Sequence, residues 1–143
     1  MTDHRIHGKT VLIAGGGKNL GGLLARDFAK QGASSVAIHY NSEAARAEAE
    51  ATAEAVRAAG ANAHLFQADL TSAAAMEQLF DDAKQAMGRI DIAINTVGKV
   101  LKKQMTQISE AEFDGMDAVN NKTAFFFLKE AGRNLADNGK VCT

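Results

Sequence analysis

The sequence predicts a doubly wound α/β fold, in which one parallel sheet is covered by helices on both faces. Short apolar runs, the candidate strands, alternate along the 143 residues with longer segments whose apolar side chains recur at helical spacing. No two runs are joined by a hairpin turn, so each strand should connect to the next by a right-handed helical crossover. No repeat, linker or low-complexity segment interrupts the pattern. We therefore expect residues 1–143 to belong to one domain.

Composition excludes several other classes of protein. The net charge is −1, with 16 basic and 17 acidic residues spread along the chain, which argues against a nucleic-acid or membrane-surface partner. The apolar runs are too short to span a membrane, and no apolar stretch of signal-peptide length follows the basic N-terminus. Cys142 is the only cysteine, so no disulfide framework or cysteine-based metal site is expected. We expect a cytoplasmic protein without a metal.

Three strands and two helices are predicted in the first half of the chain. The strands are the apolar runs at residues 10–14, 35–40 and 63–69. In the first helix, four apolar residues recur every three or four positions before Gly32, a typical residue just past a helix end. They are Leu20, Leu23, Leu24 and Phe28. Ser42 is expected to cap an alanine-rich second helix that ends at Gly60.

The third helix and the fourth strand follow the same logic. Thr71 or Ser72 should open the helix, and Gly88 should close it. Residues 90–97 are almost continuously apolar, as expected for a strand that is covered on both faces.

A long fourth helix and a fifth strand complete the pattern. Ser109 and Glu112 match a capping box at the start of the helix, which should end near residues 138–139. Residues 141–143 then begin the fifth strand, and the chain ends within it.

A glycine-rich turn, Ala14-Gly-Gly-Gly-Lys-Asn-Leu-Gly-Gly22, separates the first strand from the first helix. Glycines allow a tight turn and let backbone N–H groups approach a pyrophosphate at the positive end of the helix. Any sharp strand-to-helix turn also favours glycine, but the position at the first crossover favours a dinucleotide site. The predicted contacts are Gly15, Gly17, Lys18, Asn19, Leu20 and Gly21.

This turn resembles the Thr-Gly-x-x-x-Gly-x-Gly segment of the short-chain dehydrogenases/reductases, with Gly15 and Gly21 matching the outer glycines. Two positions differ from the family pattern. Ala14 stands in place of the threonine, which removes a hydroxyl that would brace the turn. Asn19 stands in place of the middle glycine, and asparagine tolerates positive φ better than other side chains.

Further markers follow in the order of the family. Asp69 and Leu70 match the acidic-aliphatic pair that flanks the adenine, although Asp69 also suits a helix cap. Asn95 and Gly98 are retained from an Asn-Asn-Ala-Gly signature, and the two residues between them are not. These four residues are predicted to contact the cofactor.

The last marker is Asn120, which matches the helix asparagine of the family's catalytic tetrad. The resemblance implies a Rossmann fold and an oxidoreductase that interconverts a carbonyl and an alcohol of a small molecule, with Asn120 assisting a proton relay through water. It also implies a homo-oligomer, a tetramer or dimer, in which the fourth helix packs against its counterpart. The successive residues Phe125, Phe126 and Phe127 agree, because they cannot all face one side of a helix.

The end of the second strand favours NADP(H) over NAD(H). A carboxylate there would bind the ribose hydroxyls of NAD, and here no acid occurs before Glu43. Lys18 can pair with the 2′-phosphate of NADP, although a solvated surface lysine is the alternative interpretation. The residues expected around the ribose are His39, Tyr40, Asn41 and Ser42.

The resemblance also implies a catalytic serine and a Tyr-x-x-x-Lys pair that this chain does not contain. Tyr40 is the only tyrosine, and Ala44 stands four residues later. In the family these groups follow the fifth strand, so we expect the polypeptide to continue beyond Thr143 and residues 1–143 alone to show no turnover. The alternative is a catalytically inactive NADP-binding module or sensor.

Overall fold

A computed structural model describes residues 4–143 and confirms the doubly wound class. Its five strands form one sheet in the order β3-β2-β1-β4-β5, and every neighbouring pair is parallel. The strands are β1 (Thr10–Ala14), β2 (Ser35–Tyr40), β3 (Asn62–Gln67), β4 (Ile92–Asn95) and β5 (Lys140–Cys142).

Helices connect the strands and cover both faces of the sheet. They are α1 (Asn19–Lys30), α2 (Arg46–Ala58), α3 (Ala73–Met87), α4 (Glu110–Asp117) and α5 (Thr123–Asn134). Alternate residues of the central strand β1 enter two separate apolar clusters: Val11 and Ile13 pack with α1 and α2, and Leu12 packs with α3 and α5. In the second cluster the rings of Phe80 and Phe127 meet edge to face at 5.2 Å. Burial on both faces explains why β1 is apolar at every position. Among the described residues, no helix is both long and apolar enough to cross a bilayer.

The third and fourth strands are shorter than the apolar runs that predicted them. Ile90 is fully buried, but it precedes β4 and its carbonyl accepts the amide of Ala136 from the loop after α5. At the other end, the Val97 amide donates to the side chain of Asn95, which turns the chain out of the sheet. Residues 68 and 69 likewise leave β3. Burial therefore extends beyond the ladder of strand hydrogen bonds, and an apolar run alone overstates the strand.

The long fourth helix forms as predicted and keeps helical backbone angles where α4 meets α5, but it is not α-helical throughout and it ends before residue 138. A π-helical segment, Ala118–Lys122, separates α4 from α5. The hydroxyl of Thr123 lies within hydrogen-bond distance of the carbonyls of Ala118 and Leu70, at 3.0 and 3.2 Å, and so ties this segment to the loop after β3. Helix α5 ends at Asn134, because Leu135 is extended and Asn138 has a φ of 63°.

The helix starts agree with the predictions in two of three cases. Ser109 and Glu112 form the expected capping box of α4. Ser72, rather than Thr71, caps α3 by accepting the amide of Ala75. Ser42 makes no side-chain cap, because a short 3₁₀ turn (Glu43–Ala45) precedes α2.

Candidate nucleotide-binding site

A cavity of about 580 Å³ opens at the carboxyl ends of the strands, where the glycine turn, the end of β2 and the loops after β3 and β4 meet. Thirteen of the predicted site residues line it. They are Gly15, Gly17, Lys18, Asn19, Leu20, Gly21, His39, Tyr40, Asn41, Ser42, Asp69, Leu70 and Gly98. Open parallel sheets bind ligands at the carboxyl ends of their strands. The topology of the sheet and the predicted site residues therefore indicate the same binding site.

The glycine turn requires glycine at two positions for different reasons. Gly15 has a φ of 75°, a conformation that L side chains rarely adopt. A Cβ atom at position 21 would overlap the carbonyl oxygen of Gly15, so this residue lets the first turn of α1 touch the strand end. Asn19 has a φ of 50°, as predicted for an asparagine in place of the middle glycine. The turn thus exposes backbone groups at the start of α1, where an anion is favoured.

His39 is buried beneath this turn rather than extended toward a ligand. Its Nδ1 accepts the amide of Gly15 at 3.0 Å, and its Nε2 is 2.8 Å from the carbonyl oxygen of Ala68. Burial lowers the pKa of the imidazole, against smaller opposing effects of Ala68 and Asp69. The predicted contact residue is therefore also a structural support of the site.

Thr96 is a support that the sequence analysis missed. Its hydroxyl donates to the carbonyl of Ala14 at 2.9 Å and also lies 3.2 Å from the carbonyl of Gly15. The same oxygen would be 2.7 Å from a Cβ at position 15 or 21. Thr96 therefore braces the turn from the loop after β4, and position 14 is an alanine that has no hydroxyl to do so. The sequence analysis noted position 96 only because it differs from the Asn-Asn-Ala-Gly signature. No local pattern indicated that its hydroxyl would bond to the glycine turn.

The charged groups that could discriminate between dinucleotides lie on the elements around the end of β2: the glycine turn, the 3₁₀ turn and α2. Lys18 forms an ion pair with Glu48 of α2 at 3.3 Å, and both side chains are about half exposed. The Arg46 guanidinium lies 5.7 Å from the ring centroid of Tyr40 and donates to Glu43. Arg46 and Glu48 were not predicted as neighbours of this region. Helical periodicity on α2 would not have grouped them, because residues two positions apart do not share a face of a helix, and no local pattern places either beside Lys18.

Asp69 lines the cavity, but it does not cap α3. Its Oδ1 accepts the hydroxyl of Thr71 at 2.7 Å and the amide of Thr71 at 3.0 Å. These bonds, the hydroxyl first, hold the pKa of Asp69 below its usual value. The carboxylate thus stabilises the turn after β3 and also lines the cavity. The side chain that caps α3 is that of Ser72.

Two predicted residues do not line the cavity. Asn95 accepts the amide of Val97 at 3.0 Å and donates to the Thr143 hydroxyl at 3.0 Å, so it braces the loop from behind. Asn120 lies in the π-helical segment, where it accepts the Lys99 amide and donates to the Lys99 carbonyl, both at 2.9 Å. Lys99 itself lines the cavity, and Asn120 therefore adjoins the site through this residue.

Seven further residues line the cavity without having been predicted. They are Ala45, Thr71, Thr96, Val97, Lys99, Val119 and Thr123. Within the described residues, no group of three or more histidine, cysteine, aspartate or glutamate side chains could hold a metal ion. The site is thus built from a glycine turn, backbone amides and a few charged side chains.

Residues 9–142 match the family model described as short chain dehydrogenase. This chain is a short-chain dehydrogenase family member. The match confirms the resemblance seen in the glycine turn and in the later markers, and it includes all five strands.

Named relatives agree with this assignment to the short-chain dehydrogenase family. Elsinochrome reductase 1 of Elsinoe fawcettii is 33% identical over 141 residues, which cover 99% of this chain and 52% of that protein. A structure of a dehydrogenase from Burkholderia cenocepacia with bound NADP is 71% identical, with a TM-score of 0.93, and the match covers 95% of this chain and 51% of that one. A short-chain dehydrogenase from Oenococcus oeni is 42% identical, with a TM-score of 0.85, over 97% of this chain and 62% of that one. The chain thus spans about half the length of the curated relatives that it matches.

Proposed function

We propose that this chain is the cofactor-binding part of an NADP(H)-dependent oxidoreductase that interconverts a carbonyl and an alcohol. The observation that carries the proposal is the cavity at the carboxyl ends of the strands, which brings together the glycine turn, the end of β2 and the turn after β3. Family membership and the NADP bound to the Burkholderia cenocepacia relative support the same cofactor.

The residues present fit a dinucleotide. The absence of a Cβ at Gly15 and Gly21 lets the turn close against Thr96 and the strand end, so that the start of α1 can face a pyrophosphate. Asp69 and Leu70 would flank the adenine, and Asn41 and Ser42 lie at the cavity wall formed by the end of β2. When bound, the nicotinamide would supply or accept the hydride, and the side chains of this chain would hold the cofactor in place.

Lys18 is the proposed partner of the 2′-phosphate, and its ion pair with Glu48 does not prevent this role. An exposed ion pair contributes about 0–1 kcal/mol, whereas a hydrogen bond to a charged phosphate contributes about 1.5–3 kcal/mol. The phosphate should therefore draw Lys18 away from Glu48. The ion pair would keep the lysine ordered near the site until NADP(H) binds.

Asn120 is the proposed contributor to proton transfer within these residues. Its side chain uses one hydrogen and one lone pair on Lys99, and an asparagine amide retains a second hydrogen and a second lone pair for a water molecule. We further propose that the natural polypeptide continues beyond Thr143, supplies the serine and the Tyr-x-x-x-Lys pair, and forms a homo-oligomer. Phe125, which is 64% exposed on α5, would lie in the contact between subunits.

A catalytically inactive NADP-binding module is the second candidate. It would bind the same nucleotide but would lack the serine or the Tyr-x-x-x-Lys pair after Thr143. Within residues 1–143, the sole tyrosine, Tyr40, is 5% exposed at the end of β2 and has no lysine four residues later. Residues 1–143 alone should then bind nucleotide without turnover, because loss of a general acid costs roughly 10²–10⁴ in rate. Turnover of NADPH by the isolated 143 residues with a carbonyl substrate would contradict this expectation.

Calorimetric titration of the natural polypeptide that contains residues 1–143 tests the cofactor. NADPH should bind at least about tenfold more tightly than NADH, because one charge-assisted contact of about 1.4 kcal/mol or more separates them. Equal affinities, or tighter binding of NADH, would show that the cofactor proposal is wrong. A carbonyl-reduction assay on the same polypeptide separates the enzyme from the inactive module.

A further inference from the structure

The backbone of Gly15 is held by one side chain from β2 and one from the loop after β4. On one side, its amide donates to Nδ1 of His39, which lies 24 residues later on β2. On the other side, its carbonyl and that of Ala14 lie within hydrogen-bond distance of the Thr96 hydroxyl. The Gly15 carbonyl also contacts Gly21 in the first turn of α1. The orientation of the Gly15 backbone therefore sets how the strand end meets the start of the helix.

The protonation of His39 follows from its two partners. The carbonyl of Ala68 can only accept a hydrogen bond, so Nε2 carries the proton, and the amide of Gly15 can only donate, so Nδ1 carries a lone pair. The ring is thus neutral and of one tautomer. Because the side chain is 2% exposed, water cannot readily replace either partner.

We infer that His39 is a positioning residue for the dinucleotide: its neutral imidazole, acting as an acceptor for the Gly15 amide, holds the glycine turn in the conformation that binds the cofactor. This inference rests on the proposed function. It differs from the role predicted for His39 from the sequence, since the ring acts on the glycine turn from beneath and not as a contact of the ribose.

Protonation of the ring would remove this support. A second N–H on Nδ1 would face the N–H of Gly15, and neither donor would have an acceptor. The charged group that faces His39 is Asp69, after β3, and Lys122 of the π-helical segment acts in turn on Asp69. Burial outweighs Asp69 and keeps the pKa of His39 below its usual value. The turn should therefore stay ordered at neutral pH and loosen as the pH falls.

Two substitutions of His39 each retain one of the two hydrogen bonds that its ring makes. In His39→Asn, the amide oxygen lies near the position of Nδ1 and can still accept the Gly15 amide. In His39→Gln, the amide nitrogen lies near the position of Nε2 and can still donate to Ala68, but the acceptor for Gly15 is lost. We expect Asn to retain NADPH affinity within about threefold of the unmodified protein, and Gln to lose about five- to tenfold.

The pH profile provides a readout that simple loss of packing would not change. Titrations of NADPH between pH 5.5 and 8.5 should show weaker binding at low pH in the unmodified protein, and a smaller decline in His39→Asn. Parallel titrations with NADH remove the contribution of the 2′-phosphate, which itself titrates near pH ~6. Equal binding by Gln and the unmodified protein, or equal losses in Asn and Gln, would overturn the inference.

Nitrogen-15 NMR of the unmodified protein gives a test that needs neither variant nor cofactor. The expected result is a neutral ring protonated on Nε2 together with a Gly15 amide that exchanges slowly with solvent. A ring protonated on Nδ1, or a rapidly exchanging Gly15 amide, would contradict the inference. Absence of NADPH binding at every pH, with the expected tautomer present, would instead count against the proposed function.

Discussion

The glycine turn after β1 and the helical segment from α4 to α5 are stabilised in opposite ways. The turn is held by distant residues: His39 from β2 and Thr96 from the loop after β4 bond to its backbone. The helical segment begins with a local device, the Ser109–Glu112 capping box. It also leaves apolar surface open, since Phe125 is 64% exposed while Phe127 is fully buried.

This difference predicts which substitutions should weaken cofactor binding and which should lower only the stability of the fold. A change in the turn or its supports alters the part of the molecule that meets the ligand, so it should affect cofactor affinity first. A change at the start of α4 alters a locally stabilised helix end, so it should affect stability while binding remains. The substitutions below test that separation.

Gly21→Ala should have the largest effect. The new Cβ would overlap the Gly15 carbonyl oxygen, a backbone atom that cannot move without opening the turn. We expect NADPH affinity to fall at least about hundredfold, equivalent to roughly 3 kcal/mol, as measured by calorimetry. Gly132→Ala in α5 is the matched control: nothing lies within 4 Å of its Cβ, and it should raise helix stability by about 0.5–1 kcal/mol. If both substitutions left binding unchanged, the turn would not be the binding element.

Lys18→Glu should reduce NADPH affinity by about tenfold or more and change NADH affinity much less. The substitution replaces the proposed partner of the 2′-phosphate with a repelling charge. Glu48→Gln is the companion variant, because it releases Lys18 from its ion pair and should strengthen NADPH binding slightly. Equal losses for both nucleotides in the Lys18 variant would contradict the assignment.

Thr96→Val should cost about 1 kcal/mol in the free energy of unfolding and a few-fold in NADPH affinity. Valine keeps the shape of threonine but cannot donate to the carbonyl of Ala14. Thr96→Ser keeps the hydroxyl and should retain most of the affinity. Chemical denaturation and calorimetry measure the two quantities, and a valine variant as tight as the serine variant would remove Thr96 from the supports of the turn.

The smallest effect concerns the capping box. The bond from Lys103, followed by those from Ser109, holds the pKa of Glu112 at about 2, below the usual 4.5. A lowered folded-state pKa means that this contribution to stability is present above pH ~4.5 and is lost as the pH falls toward 2. Glu112→Gln can still cap the helix but should show a smaller loss of thermal stability in that window. NADPH affinity at pH 7 should not change. A large change would contradict the expectation that the capping box affects stability but not cofactor binding.

Local sequence patterns predicted much of the fold because each pattern depends on neighbours along the chain. The apolar run at residues 10–14 became β1 with the same bounds, and the capping box formed as expected. The position of Asn19 in the glycine turn predicted its positive φ, which the structure has at 50°. The long helix was predicted less well, because the apolar spacing continues through the π-helical segment and carries no sign of the Thr123 hydroxyl that bonds to Ala118.

The sequence by itself determined the alternation of strands and helices, the glycine turn and the residues that would surround a dinucleotide. Only the tertiary structure decided how that turn is supported. The partners of the turn lie far along the chain: His39 is 24 positions after Gly15, and Thr96 is 82 positions after Ala14. Such pairs meet because parallel strands bring their carboxyl ends to one edge of the sheet. No local pattern specifies which side chain then meets which backbone group, since that depends on the register of β1 with β2 and β4.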